Sequence, residues 1–196
     1  DAEADAFIYS LYADVLAGRV GRDALVKVLK TSGAYADAID ASVAAMDGGA
    51  GDDAVERIFV HLDARTPPSF FRAFGPRVVP VFNYFQAARV LFAGGHLAPQ
   101  GVVTVTRAFL EAEGQSADAL ANLFQDVVRR GHLPGSAMQR LGLAIQDLSD
   151  VPREAEVVWK SVQRFIDLGA SRHFVAPGPP AQPDYQALLE HLKNRR

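Results

Sequence analysis

The chain has 196 residues, of which 49% are hydrophobic and 22% charged, and its formal net charge is −3. This balance is typical of one or two folded domains and excludes a largely disordered protein, while the acidic sign argues against a dedicated duplex-DNA binder. The absence of cysteine excludes disulfide scaffolds, thiolate metal sites and cysteine nucleophiles.

A helical period dominates the hydrophobic pattern along the whole chain. The spacing i, i+3, i+4, i+7 recurs, for example at Val55, Ile58, Phe59 and Leu62, and it places apolar side chains on one stripe of a helix. No segment shows a run of strand alternation, and we assign the β-branched stretch Val102–Thr106 to a helix as well. The pattern predicts ten helices, over residues 5–17, 22–32, 35–47, 52–63, 80–93, 100–113, 117–130, 135–148, 152–168 and 185–194.

Glycine, proline and aspartate residues mark the helix ends. Pro99, Pro134 and Asp184 occupy starting positions. Glycine ends helices because it adopts positive φ without a steric penalty, and we expect this at Gly18, Gly33, Gly114, Gly131 and Gly169. The short connections predict antiparallel neighbours. The predicted fold class is therefore all-α, with stacked antiparallel helical hairpins in a solenoid-like array.

Two proline-rich stretches divide this array. Residues 64–80 contain four prolines and three phenylalanines, and this composition fits either a bent connector or a hinge within a helical-repeat body of residues 1–174. Residues 175–184 form a proline-rich tether. The tether leads to residues 185–196, a short helix that must dock, either on its own chain or in a groove of a second molecule.

Three predicted helices end in similar triplets, which indicates an internal repeat. The triplets are Gly18-Arg19-Val20, Gly95-His96-Leu97 and Gly131-His132-Leu133. A helix of about a dozen residues follows each one, and an aspartate closes it. The repeat period of about 37 residues is typical of stacked α-hairpins.

This repeat resembles the pentatricopeptide repeat, most clearly at the turn from Ala17 to Leu25. Related α-hairpin families, such as tetratricopeptide and HEAT-like arrays, fit it nearly as well. The resemblance implies a groove for single-stranded RNA, in which each repeat reads one base. It also implies which residues would read the bases. These are Gln86 and Asn122 in first helices, and Asp118 and Asp150 at repeat ends.

Catalytic and metal motifs are absent from the sequence. The five histidines are never three or four residues apart, and the loop Gly48–Asp52 lacks the lysine and hydroxyl residues of a phosphate-binding loop. We therefore predict no catalytic, cofactor-binding or metal-binding residues. Since the sequence has no cysteine, signal or membrane-spanning segment, we expect an intracellular protein in an unspecified compartment that binds no membrane.

These observations leave two functional hypotheses, a protein–protein adaptor and a single-stranded RNA-binding protein of pentatricopeptide type. The adaptor follows from the acidic charge and the helical array. RNA binding follows from the repeat and from charge asymmetry: residues 1–64 carry a balance of −7 and residues 65–196 one of +4. Partner contacts are predicted for a set of basic, aromatic and C-terminal apolar residues. They are Arg72, Arg89, Arg107, Arg129, Arg130, Trp159, Lys160, Arg164, Tyr185, Leu188, Leu189 and Leu192. RNA binding further requires the basic members to converge on one groove.

Overall fold

The computed structural model is mostly helical. It describes residues 2–46, 51, 53–62, 65–113, 119, 122, 123, 126, 128, 129, 132–146, 153–167 and 182–195. The α-helices with both ends in these ranges are α1 (Ala2–Leu16), α2 (Arg22–Ser32), α3 (Ala36–Met46), α4 (Tyr84–Ala93), α5 (Pro99–Glu113), α6 (Gly135–Gln146), α7 (Arg153–Asp167) and α8 (Tyr185–Asn194). Residues 119, 122, 123, 126, 128 and 129, between α5 and α6, are helical as well. The chain divides into two compact units, one made of Asp1–Pro80 with Gly178–Arg196 and the other of Val81–Pro177.

The prediction of an exclusively helical chain is wrong at residues 52–63. A short strand, β1 (Ile58–His61), lies there and pairs with β2 (Val78–Val81) in a two-stranded sheet. A 3₁₀-helical segment, Pro68–Arg77, lies between the two strands in the chain and is kinked at Gly75, whose φ of 67° is not helical. In β1 the side chains of Ile58 and Val60 are buried while those between and after them are more exposed, which is the alternation of a strand. The spacing that suggested a helix here also fits this strand, because the run is short and β-branched.

Most other boundaries agree with the predicted helices to within a few residues. Helices α2 and α8 have the predicted limits, and Val102–Thr106 lies inside α5. The predicted helix 80–93 begins later, at Tyr84, because β2 occupies residues 78–81 and the Asn83 side chain accepts a hydrogen bond from the Gln86 amide. The Asp184 side chain likewise caps α8 by accepting from the Ala187 amide.

Glycine ends α1 and α2 as predicted, and it also follows α4. Gly18, Gly33 and Gly95 have φ values of 70°, 85° and 81°. Each turn contains a hydrogen bond from the next amide to a carbonyl five residues earlier, such as Arg19 to Asp14 at 2.8 Å. Because the Gly33 turn is not part of the repeated triplet, this geometry is general helix punctuation and not evidence for a repeat. Gly114, Gly131 and Gly169 lie outside the described residues.

The first unit has a core built around α1. Helix α1 packs against α8, β1 and the 3₁₀ helix, and α2 packs against α3 and α8. Buried apolar side chains from these elements meet in one cluster, which includes Phe7, Leu11, Val28, Phe71 and Leu189.

In the second unit, α5 packs on both α4 and α7. Helix α6 packs on α7 and also contacts α4. Gly142 of α6 permits close packing on α7, because a Cβ atom there would lie 2.6 Å from the Trp159 ring. Valine, leucine and methionine side chains fill this core, among them Val103, Leu133, Met138 and Leu141.

Candidate functional site

The described part of the first unit contains an open groove of about 1220 Å³. Its walls are helices α1, α2, α3 and α8, and most of its lining is apolar. Helix α1 contributes Phe7, Leu11 and Val15, and the facing wall is formed by residues such as Leu29 of α2. Apolar concave surfaces of this kind are the usual binding sites of proteins.

Helix α1 places two large apolar side chains at the groove with more than half of their surface in solvent. Ile8 is 57% exposed and Tyr12 is 60% exposed, and both line the groove. They are four residues apart and therefore neighbours on one helix face. The opposite face of α1 is already buried in the core through Ala6, Ser10 and Ala13. A helix with apolar residues on most of its faces normally packs against other elements on most of those faces. Because Ile8 and Tyr12 remain exposed, this face of α1 indicates a binding surface.

Charged side chains gather where the end of α8 meets the start of α1. Glu3, Lys193 and Arg195 line the groove there, and Arg65 lines it as well. The buried Glu3 carboxylate forms an ion pair with Arg195, and its Oε2 lies 3.7 Å from Nε2 of His191. The Lys193 ammonium donates to the carbonyl of Thr31 at the end of α2. The lining thus contains three cationic residues and one carboxylate that already has a partner.

A second polar cluster holds the other end of α8 in place. The Tyr185 hydroxyl donates to Asp14 Oδ2 at 2.5 Å, and Asp14 Oδ1 also lies 2.7 Å from Arg19 and 3.2 Å from Arg77. Both arginines also contact Asp53, at 2.8 Å and 2.6 Å. The cluster fixes the wall of the groove that α8 supplies.

The pKa shifts in this cluster follow from the contacts. The hydrogen bond from Arg19 lowers the pKa of Asp53, with further Coulombic stabilisation from Arg77. Burial raises the pKa of Tyr185, and its hydrogen bond to Asp14 raises it further. Tyr185 is therefore a neutral hydrogen-bond donor to Asp14 at neutral pH.

The two serine hydroxyls of the described groove lining are engaged with their own helices. Ser32 donates to the Leu29 carbonyl and Ser42 to the Ala38 carbonyl, both at 2.7 Å. Within the described part of the chain, no group of three or more His, Asp or Glu residues is arranged to hold a metal ion, and no helix is long and apolar enough to cross a membrane. The groove is suited to binding through shape and apolar contact.

Two residues predicted to contact a partner or RNA are buried in the second unit. Arg89 is 1% exposed, with its guanidinium 3.3 Å from the Phe85 ring centroid and donating to Thr106 Oγ1 at 3.0 Å. Gln86 is also 1% exposed, and its side chain bonds the Phe82 amide and the Leu123 carbonyl. Neither side chain reaches a surface, so the assignment of Arg89 to a partner interface and of Gln86 to base reading is wrong.

The remaining candidates of the second unit are mostly exposed. Trp159 is half-buried against Gly142, and Lys160 forms an i,i+4 ion pair with Glu156 at 2.6 Å. The other exposed candidates are Arg107, Asn122, Arg129 and Arg164. Arg130, Asp118 and Asp150 lie outside the described residues. Arg72 is exposed in the first unit, so the required convergence of basic residues stays a prediction.

The C-terminal apolar stripe packs on the chain's own first unit. Tyr185 and Leu189 are buried, and Leu188 and Leu192 are half-buried beside them. The Tyr185 ring contacts the Phe7 ring edge to face, with 5.7 Å between centroids. In this arrangement Leu189 and Leu192 also line the groove, so the stripe contributes to a binding site by forming its wall.

Sequence reasoning missed the exposed pair on α1. The available signal was the width of one apolar stripe, because Phe7, Ile8, Leu11 and Tyr12 together span about 140° of the helix circumference. A stripe this wide extends beyond the contact with one neighbouring helix, and its outer edge forms the groove wall.

Comparison with protein-family models, curated protein sequences and solved structures finds no match to this chain. The resemblance to pentatricopeptide repeats therefore stays a prediction. The geometry of the groove is the basis for proposing a function.

Proposed function

We propose that this chain is a non-enzymatic binding module that acts as a protein–protein adaptor, and that the groove of the first unit is its binding site. The observation that carries the proposal is the exposure of Ile8 and Tyr12 beside a large apolar groove. Exposed apolar surface of this kind marks sites at which proteins bind one another. The two serine hydroxyls of the described lining donate to carbonyls of their own helices, which favours binding over catalysis.

The alternative, RNA binding of pentatricopeptide type, has less support. The position that would read a base in α4 is the buried Gln86. Most of the groove's lining is apolar, whereas an RNA site combines a cationic track along the backbone with several stacking surfaces. Stacked hairpins remain a proposal for the second unit, where α4 packs on α5 and α6 on α7. In the first unit the β1–β2 sheet interrupts such a series.

The proposal predicts that a charge placed on the α1 stripe abolishes partner binding without unfolding the chain. Polypeptide ligands are first selected for binding to the full chain from a displayed library of random segments. We expect these ligands to bind the Ile8→Glu variant at least tenfold more weakly than the parent chain. A carboxylate at this position would have to be desolvated against an apolar partner. Because Ile8 is more than half exposed, the melting temperature should stay close to that of the parent.

Tyr35→Glu is the matched control, since Tyr35 is 83% exposed and does not line the groove. It should retain every selected ligand. Selection of ligands that bind Ile8→Glu as tightly as the parent would show that the site lies elsewhere. Failure of repeated selections to yield any ligand would overturn the adaptor function.

A further inference from the structure

We infer that the occupant of the groove is a short amphipathic helix of a partner protein that carries acidic residues at one end. This inference rests on the proposed function and specifies the partner's chemistry. Three features carry it, namely the dimensions of the groove, the helical character of its walls and the sign of the accessible charge at one end.

The groove has the volume of a few helical turns. An α-helix with its side chains has a diameter of about 10–12 Å. A cylinder of that diameter with the groove's volume of 1220 Å³ is about 11–16 Å long, which corresponds to about seven to ten helical residues. The volume exceeds the ~300–1,000 Å³ of a small-molecule pocket. These dimensions favour a polypeptide segment over a metabolite.

The walls favour a helical conformation for that segment. Four helices surround the groove, and on α1 the exposed Ile8 and Tyr12 stand one turn apart. Side chains at this spacing form a ridge that packs between the ridges of another helix. An apolar stripe at i, i+3, i+4 and i+7 on the partner provides those ridges.

The charged residues of the groove lining indicate which end of the partner helix lies beside α8. Lys193 and Arg195, at the end of α8, are exposed in the lining, where Arg195 pairs with the buried Glu3, and the exposed Arg65 lines the groove as well. Among the described lining residues, Glu3 is the single carboxylate against three cations. The accessible charge in the lining is therefore positive, and it complements acidic side chains on the partner.

The test uses synthetic helical peptides of about fourteen residues with a leucine stripe at i, i+3, i+4 and i+7. A pair of glutamates is placed at the amino end in one peptide and at the carboxyl end in another, because the groove admits two directions. Counterparts carry glutamine or lysine pairs at the same positions. We expect one glutamate peptide to bind the full chain at least fivefold more tightly than its glutamine counterpart, and the lysine peptide to bind more weakly than either. The difference in affinity between the glutamate and glutamine peptides should decrease as the salt concentration is raised.

Charge reversal in the chain separates recognition from folding. The double variant Arg65→Glu/Lys193→Glu should lose the preference for glutamate and bind the lysine peptide more tightly than the parent does, because the interaction follows the product of the two charges. Gain of binding by a variant cannot come from misfolding. Lys27→Glu, on an exposed position of α2 that does not line the groove, should leave the preference unchanged.

The outcomes distinguish this inference from the proposed function. Equal affinities for the glutamate, glutamine and lysine peptides, all lost in Ile8→Glu, would overturn acidic selection and leave the adaptor function standing. Displacement of the fluorescent fatty acid cis-parinaric acid by other fatty acids, with no peptide bound, would assign the groove to lipid ligands and overturn both. A dimer in solution that Ile8→Glu converts to monomers would make a second copy of the chain the occupant and overturn the inference.

Discussion

At the scale of single residues, Asp14 decides how the two ends of the first unit meet. Its carboxylate, 8% exposed, accepts from Tyr185 on one oxygen and contacts Arg19 and Arg77 with the other. Hydrogen bonds to a buried charge are the stronger kind, because they replace the water that burial removes. Asp53 closes the cluster on its exposed side, where solvent screens the ion pairs and leaves them a small contribution to stability.

Removal of the Tyr185 hydroxyl should change how stability depends on pH. The folded-state pKa of Tyr185 lies above its unfolded value of 10.0. The stabilisation is therefore complete below pH 10.0 and is lost as the pH rises from there towards the folded-state pKa. We expect Tyr185→Phe to reduce the free energy of unfolding by about 1–2 kcal/mol at neutral pH and to flatten its decline above about pH 10.

Urea unfolding at about pH 8 and about pH 11 measures both effects. Tyr35→Phe is the control, because Tyr35 is almost fully exposed and should keep the parental decline. Identical pH slopes for Tyr185→Phe and the parent would contradict the assignment of the buried hydrogen bond to Asp14.

At the scale of elements, α4 and α5 are joined by a buried cation. Arg89 of α4 stacks on Phe85 and donates to Thr106 of α5, whose own hydroxyl donates to the Val102 carbonyl at 2.7 Å. Burial lowers the pKa of Arg89, since removing the guanidinium from water disfavours its charged form. The side chain therefore contributes packing volume as well as charge to the contact between the helices.

Truncation of Arg89 should destabilise the second unit by leaving a cavity. We expect Arg89→Ala to cost about 2–4 kcal/mol, and Arg89→Met to cost at least about 1 kcal/mol less, because methionine fills much of the space without a charge to desolvate. Hydrogen exchange of the α4–α7 amides, followed during thermal unfolding, measures the loss of stability in both variants. Arg140→Ala, at an exposed position of α6, should stay within about 0.5 kcal/mol of the parent. Equal effects of the Arg89 and Arg140 substitutions would show that Arg89 is not part of the core.

At the scale of the whole molecule, the two ends of the chain build one unit. Helix α1 at the start and α8 at the end pack together, and contacts such as Tyr185 with Asp14 span 171 residues of sequence. The second unit is contiguous, from Val81 to Pro177. Loss of the C-terminal segment therefore removes part of one unit and none of the other.

Deletion of residues 182–196 should open the first unit while the second stays folded. The deletion exposes Phe7 and the neighbouring core and removes the burial of Tyr185 and Leu189, at a cost of about 3–5 kcal/mol. Hydrogen exchange should show loss of protection in α1 and α2 and unchanged protection in α4–α7. The full-length variant Glu190→Gln, at an exposed position of α8, should keep the parental pattern.

The mass in solution decides between the two ways in which the C-terminal helix docks. An unchanged mass on deletion supports docking within one chain, as in the structure. A change from dimer to monomer would show that α8 is exchanged between chains, and unchanged protection in α1 would contradict the packing altogether.

Local sequence determined most of the helices of this protein. The limits of α2 and α8 follow from an apolar stripe together with a glycine or a capping aspartate, and both signals act within a few residues of the chain. The same holds for the start of α5 at Pro99 and for the glycine turns at Gly18 and Gly33. These features depend on contacts between neighbours in sequence, so no knowledge of the fold is needed to predict them.

Tertiary structure alone decided the strand at Ile58–His61, the burial of Arg89 and the groove. A four-residue apolar run fits a helix or a strand, and β1 forms because β2 supplies hydrogen-bond partners from twenty residues further along the chain. Arg89 has the charge of a surface residue and is buried because Phe85 and Thr106 enclose it. The groove exists because α8 returns to α1 from the far end of the sequence. Contacts between residues that are distant in sequence leave no local pattern, and for this reason only the folded chain reveals them.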